Sequence, residues 1–163
     1  MADKADSTAD RAYVAGLTMI ARRELSERQV RTRLARRQYE PEHIDQAIAR
    51  LREERALDDA RTARAIARTA ASIRGQGRRR ARMQIDAAGI DRGVAEAAID
   101  EVFAEVDDGA LLEAALTRRL RGRTAPEDQK EKARLFRYLV GQGFDADRVL
   151  SAIRARRKAG ALE

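Results

Sequence analysis

Residues 81–99 read ARMQIDAAGIDRGVAEAAI, and their spacing decides the fold. Ala81 and Ile85 lie four apart, the interval that keeps side chains on one helical face. Gly89 then offers a helix stop able to take positive φ. Ile90 makes a corner, Asp91 suits the N-terminus of a new helix, and Ala95 and Ile99 resume the interval of four. The stretch predicts helix, corner, helix.

The same pattern occurs twice more. Aligning Tyr39, Ile90 and Phe144 places Leu34, Ile85 and Leu139 five residues before the corner, and Val30, Ala81 and Leu135 nine before it. An acid follows each corner (Glu40, Asp91, Asp145), then Ile44, Ala95 and Val149, then Ile48, Ile99 and Ile153. Gly143 matches Gly89, whereas Gln38 holds that place in the first copy. Upstream of each pair a further helix is predicted, over 13–23, 60–73 and 110–121. Tyr13, Leu17, Ile20 and Ala21 form the inward stripe of the first, and Leu112, Leu116 and Leu120 that of the third. Ser26 with Gln29 forms a capping box, Thr124 with Glu127 is expected to form another, and Pro41 suits a first helical turn. Residues 1–10 read as a disordered tail, followed by three-helix modules over 11–57, 58–108 and 109–163. The predicted fold is all-α: three tandem three-helix, helix-turn-helix-like repeats forming an elongated, curved molecule, because stacked repeats pack mainly on their neighbours.

Charge is sorted along this array. Residues 57–85 carry eight arginines (Arg61, Arg64, Arg68, Arg74, Arg78, Arg79, Arg80, Arg82) and no acid after Asp59, while residues 86–113 carry nine carboxylates against Arg92 alone. On a helix, Arg61, Arg64 and Arg68 share one edge, opposite Ala63, Ile66, Ala67, Ala70 and Ile73. Arg78, Arg79 and Arg80 open a helix, where the macrodipole disfavours cations by roughly 0.3–1 kcal/mol each. That choice invites a functional reason: a basic block is a footprint for a polyanion or an acidic protein surface. The plainer reading is a solvated face or a compositional bias, since 30 of the 34 basic residues are arginine. As to partners, the net charge of +7 favours nucleic acid or acidic surfaces.

Enzyme chemistry finds little support. His43 is the only histidine and there is no cysteine, so neither a zinc site nor a triad can be assembled. The acids Asp100, Glu101, Glu105, Asp107 and Asp108 lack the spacing of a calcium loop and read as a solvated face. Gly75-Gln76-Gly77 lacks the Lys and Ser/Thr of a phosphate loop. No catalytic, cofactor-binding or metal-binding residue is expected. No apolar run approaches the roughly 20 residues of a spanning helix, and a cysteine-free chain fits the cytoplasm. Asp58-Asp59 reads as the cap of the helix that follows and as a means of orienting it against the first module.

Leu57-Asp58-Asp59, Arg61, Arg68, Arg74-Gly75-Gln76-Gly77, Arg80, Ile85 and Gly89-Ile90, in this order and spacing, resemble the RecX family of bacterial regulatory proteins. Thr62 stands where that family usually has an aromatic, Ala81 replaces a larger aliphatic, and Gln84 replaces a glutamate. The resemblance implies a modulator of the RecA recombinase that acts on the filament RecA forms on single-stranded DNA; a monomeric chain is expected. It would inhibit recombinase, ATPase and coprotease activities and so modulate DNA repair and the SOS response. The eight arginines are then the expected contact surface, meeting acidic groups of RecA or DNA phosphates. The alternative is a direct binder of single- or double-stranded DNA through the helix-turn-helix-like surfaces. A purely structural adaptor is a third reading.

Overall fold

The computed structural model describes residues 2–121, 123–124 and 126–160. Among them stand α1 (Ala2–Arg22), α2 (Glu27–Arg36), α3 (Pro41–Glu53), α4 (Asp59–Arg68), a π-helical turn (Thr69–Ile73), α5 (Arg78–Ala88), α6 (Arg92–Ala104), α7 (Asp108–Leu120), α8 (Gln129–Gly141) and α9 (Ala146–Gly160). No strand occurs among the described residues. The fold is an all-α helical repeat. Residues 2–10, expected as a disordered tail, are instead the first part of α1; Met1 lies outside the described residues. Two compact units form, one from Met1–Ala65 with Ile85–Glu96, the other from Ile66–Gln84 with Ala97–Glu163, so α4, α5 and α6 each contribute to both.

In the first unit α1 packs chiefly on α3, and Val30, Leu34, Ile44, Ile48 and Leu51 are buried as their spacing predicts. The phase of α1 differs from expectation. Ala12 and Gly16 face inward, whereas Leu17 is 38% exposed and Ala21 is exposed. Gly16 explains the rotation: a Cβ there would lie 2.9 Å from Leu51 Cδ1, so the glycine lets the two helices approach closely. The Tyr13 hydroxyl donates to Glu54 Oε2 at 2.5 Å, and the Arg50 guanidinium lies 3.8 Å over the Tyr13 ring. The Tyr13 hydrogen bond, then Arg50, holds the Glu54 carboxyl below its ordinary range.

Local capping follows the sequence at most ends. Ser26 and Gln29 form both halves of the capping box, and Pro41 opens α3. Asp91 and Asp145 accept amide hydrogens from the first turns of α6 and α9, but Glu40 makes no side-chain cap. The capping box expected at Thr124–Glu127 is not formed. α8 begins later, capped by Asp128, whose Oδ2 accepts the Glu131 amide at 3.0 Å.

Asp58 and Asp59 divide the work expected of them. Asp58 Oδ1 accepts the Arg61 amide at 2.9 Å and caps α4, while Asp59 Oδ1 accepts the Glu27 amide at 2.8 Å and ties α4 to the start of α2. Burial pushes the Asp59 carboxyl above its ordinary value of 3.8, against the lowering effect of that amide. Because the folded value is raised, the contribution of Asp59 is most favourable below 3.8 and is lost as pH rises through the raised value. Asp59→Asn keeps an acceptor without the buried charge. Its melting temperature at pH 7 is therefore expected to be no lower than that of the native chain, with any gain disappearing on acidification; thermal unfolding across pH checks this.

In the second unit Leu112, Ala115, Leu116, Leu135, Leu139, Phe144, Val149 and Ile153 form a contiguous core, with Leu120 partly buried at its edge. Alanine dominates around α4 and α5, where Ala63, Ala67, Ala70 and Ala81 are fully buried. Such small side chains bring helix backbones close but bury little area, so polar junctions have to supply specificity there.

Candidate interaction surface

α4 does not continue as an α-helix to Ile73. From Thr69 it widens into a π turn, closed by the Arg74 amide donating to Thr69 O at 3.0 Å. One residue too many in a turn rotates everything after it. Ile73, expected inward with Ala63, Ala67 and Ala70, is consequently 76% exposed. Gly75 then takes a φ of +60°, and the Gln76 amide donates back to Ala70 O at 2.8 Å, ending the segment.

The start of α5 docks by backbone onto the corner between α8 and α9. The Gly77 amide donates to Gln142 O at 2.9 Å, and the Arg79 amide to Gly143 O at 3.3 Å. Neither glycine tolerates a side chain: a Cβ on Gly77 would lie 2.4 Å from Gly143 O, and one on Gly143 2.3 Å from the Arg80 nitrogen. Side-chain amides reinforce the junction in series. Arg74 Nη1 donates to Gln84 Oε1 at 3.1 Å, Gln84 Nε2 to Gln76 Oε1 at 2.7 Å, and Gln76 Nε2 to Gln142 Oε1 at 3.3 Å. Gln84, where a glutamate was expected from the resemblance, both accepts and donates in this series.

The first unit contains the equivalent junction. Ser26 Oγ donates to Ala88 O at 2.5 Å and Arg28 Nη2 to Ala87 O at 2.9 Å, while a Cβ on Gly89 would meet the Arg28 guanidinium. In register, Ser26 corresponds to Gly77 and Ala88 to Gln142. Glycine stands at the two corners onto which a neighbouring backbone or guanidinium folds; Gln38 keeps the positive φ, +64°, at the exposed first corner.

This scaffold sorts the eight arginines. Arg61 is structural: its guanidinium donates to Glu24 Oε1 at 3.0 Å, Arg55 O at 3.0 Å and Ala56 O at 2.8 Å, closing the end of α3. Arg78 is engaged likewise, 2.9 Å from Asp100 and 4.0 Å from Asp108, with its guanidinium 5.5 Å from the Phe103 ring centroid. Those acids, expected as a solvated face, therefore balance the basic helix start. Arg64 and Arg82 are half-buried. Arg68, Arg74, Arg79 and Arg80 are exposed and all lie in the second unit, in a segment that also exposes Ile73 and Met83, at 76% and 60%. Neither apolar side chain is expected as a contact at the surface from the helical spacing alone. Met83 follows Arg79 and Arg80 by four and three residues and so shares their face of α5.

Two departures are absorbed locally. Thr62 is 1% exposed, and its hydroxyl lies 3.3 Å from both Glu24 Oε2 and Leu25 O. His43, expected solvated, is half-buried, with Nδ1 enclosed and without a hydrogen-bond partner among the described residues. Arg33 marks a second cationic region in the first unit: burial, then the like charges of Arg23 and Arg36, pushes its guanidinium below the ordinary value. No helix among the described residues is long and apolar enough to cross a membrane.

Comparison with known proteins follows the same architecture. Residues 12–51 match the RecX first three-helix domain and residues 107–153 the RecX third three-helix domain. Regulatory protein RecX of Halorhodospira halophila is 38% identical over 143 residues, covering 86% of this chain and 85% of that protein. Its counterpart from Stenotrophomonas maltophilia strain R551-3 is 31% identical over 138 residues, covering 85% and 82%. Among solved structures, RecX from Lactobacillus salivarius superposes with a TM-score of 0.74 at 18% identity, covering 93% of this chain and 97% of that one. A second regulatory protein RecX gives 0.77 at 17% identity, covering 94% and 75%, and both likenesses speak for the fold.

Proposed function

The chain belongs to the RecX family of regulatory proteins, and from that premise we propose that it binds the RecA recombinase and its filament on single-stranded DNA. In this reading it lowers ATPase, strand-exchange and coprotease activity, and so restrains repair and the SOS response in the cytoplasm as a monomer without catalysis of its own. The observation that carries the contact surface is the exposed group Arg68, Arg74, Arg79 and Arg80 around Ile73 and Met83. Guanidinium pairs bidentately with carboxylate or phosphate, and a neighbouring apolar side chain adds desolvated contact that phosphate alone does not reward. Arg78 holds the start of α5 through Asp100 and Asp108, beside this surface. In this reading the chain is built of three repeats, 11–57, 58–108 and 109–163, and the surface belongs to the second.

Direct DNA binding is the second reading, favoured by the same exposed guanidinium groups. Against base readout, the helices after the corners carry acids, Glu42 and Asp45 in α3 and Glu96, Asp100 and Glu101 in α6. Titrating the chain into RecA on single-stranded DNA while following ATP hydrolysis separates the readings. Inhibition is expected at amounts too small to coat the DNA; inhibition only near DNA saturation supports simple competition for DNA and overturns the RecA reading.

A further inference from the structure

The repeats allow one face to be compared in register. In the first repeat the face shared by α2 and α3 is closed by ions: Arg31 pairs with Glu27 at 2.9 Å and with Asp45, and Arg52 lies 3.7 Å from Glu27. In the second repeat Arg78 pairs with Asp100 across α5 and α6. In the third repeat both pairs are gone. Phe136 and Leu150 replace Arg31 and Asp45, and Lys132 and Arg154 replace Arg78 and Asp100.

The structure shows an open groove there, about 530 Å³ in volume. Phe136, Leu150 and Ile153 line its apolar part, and Lys132, Arg154 and Arg157 its basic part; among the described residues no carboxylate lines it. Lining residues recur at i, i+3, i+4 and i+7 on both α8 and α9, about two helical turns or roughly 10 Å of each. Leu150 is 39% exposed, and Arg154 and Arg157 are exposed.

We propose that this α8–α9 groove docks an acidic amphipathic helix of a partner protein. Its aliphatic or aromatic side chains would enter between Phe136 and Leu150, and its carboxylates would meet Lys132, Arg154 and Arg157. Charge complementarity selects the occupant: three lining cations repel a basic segment, and an apolar floor rewards an anchored side chain. The surface is distinct from the exposed arginines around α5, and the proposal stands independently of the RecA reading.

The test uses the full chain and a labelled synthetic peptide with Leu and Phe at i, i+3, i+4 and i+7 flanked by Glu, followed by fluorescence anisotropy. A shuffled peptide of identical composition and oligothymidylate serve as comparison ligands. Saturable binding is expected, weakened about tenfold or more by shuffling and by Arg154→Glu with Arg157→Glu. Phe136→Arg with Leu150→Asp rebuilds the ion pair of the first repeat, and is expected to close the groove and abolish binding with helicity retained. Peptide binding unchanged in either double variant, equal binding of the shuffled peptide, displacement by oligothymidylate at matched concentration, or no binding at all would each overturn the proposal.

Discussion

Gly143→Ala is expected to loosen the second unit by about 3 kcal/mol or more, from backbone strain and from a clash whose relief breaks the docking hydrogen bonds. The residue holds φ at +92°, a conformation costing a side-chain-bearing residue about 1–2 kcal/mol. Its Cβ would sit 2.3 Å from the Arg80 nitrogen, 2.6 Å from Arg80 Cβ and 2.8 Å from Gly77 O, and two of these three contacts are backbone atoms that cannot swing aside. Separating them stretches the Gly77 to Gln142 and Arg79 to Gly143 hydrogen bonds, each contributing about 1 kcal/mol net. Gly141→Ala is the matched control, because that glycine lies in α8 and its Cβ would meet nothing within 4 Å. It is expected to be neutral or to gain up to about 1 kcal/mol. Denaturant unfolding followed by circular dichroism measures both, and similar stabilities for the two variants would refute the docking of α5 on the α8–α9 corner.

Arg79→Ala combined with Arg80→Ala is expected to do the reverse, sparing stability and removing function. Both side chains are exposed, and what holds this segment in place is their backbone. Exposed substitutions of this kind change stability by about 0.5 kcal/mol or less. Loss of two charge-assisted contacts is expected to raise the midpoint of RecA inhibition by about tenfold or more. Arg61→Ala is the converse control: it strips donors from two carbonyls and from Glu24, so it is expected to cost about 1–3 kcal/mol and to leave inhibition by the folded fraction unchanged. Inhibition that survives the double change at α5 would remove that surface from the account.

The helix-corner-helix pairs were legible because their signals are local. Gly89 and Gly143 mark positive φ, Asp91 and Asp145 cap the helices that follow, and Leu34, Ile85 and Leu139 are buried where an interval of four puts them. What escaped the reading depends on contacts distant in sequence. Nothing in Thr69–Ile73 marks a π turn, and without it Ile73 belongs on the buried face. Arg61 and Arg78 look like any other arginine until Glu24 and Asp100 are placed beside them. The phase of α1 turned on Gly16, whose meaning is the approach of Leu51. Thr124 and Glu127 have the spacing of a capping box, yet Asp128 takes the cap of α8. The acidic block after Ile85 was legible as charge and, at Asp91, as a cap, but not as the counterpart of Arg78 and Arg148 or, at Asp107, as the cap of α7.

The most direct measurement is the affinity of the labelled chain for RecA filaments on single-stranded DNA and for the same DNA bare, over a range of salt. An account in which exposed arginines and the apolar Ile73 and Met83 meet a protein surface predicts tighter binding to the filament at every salt. It also predicts a shallower salt dependence there than on bare DNA, where phosphate neutralisation alone sets the slope. Equal or tighter binding to bare DNA, with the steeper slope shared by both, would contradict it and leave a DNA-binding protein in its place.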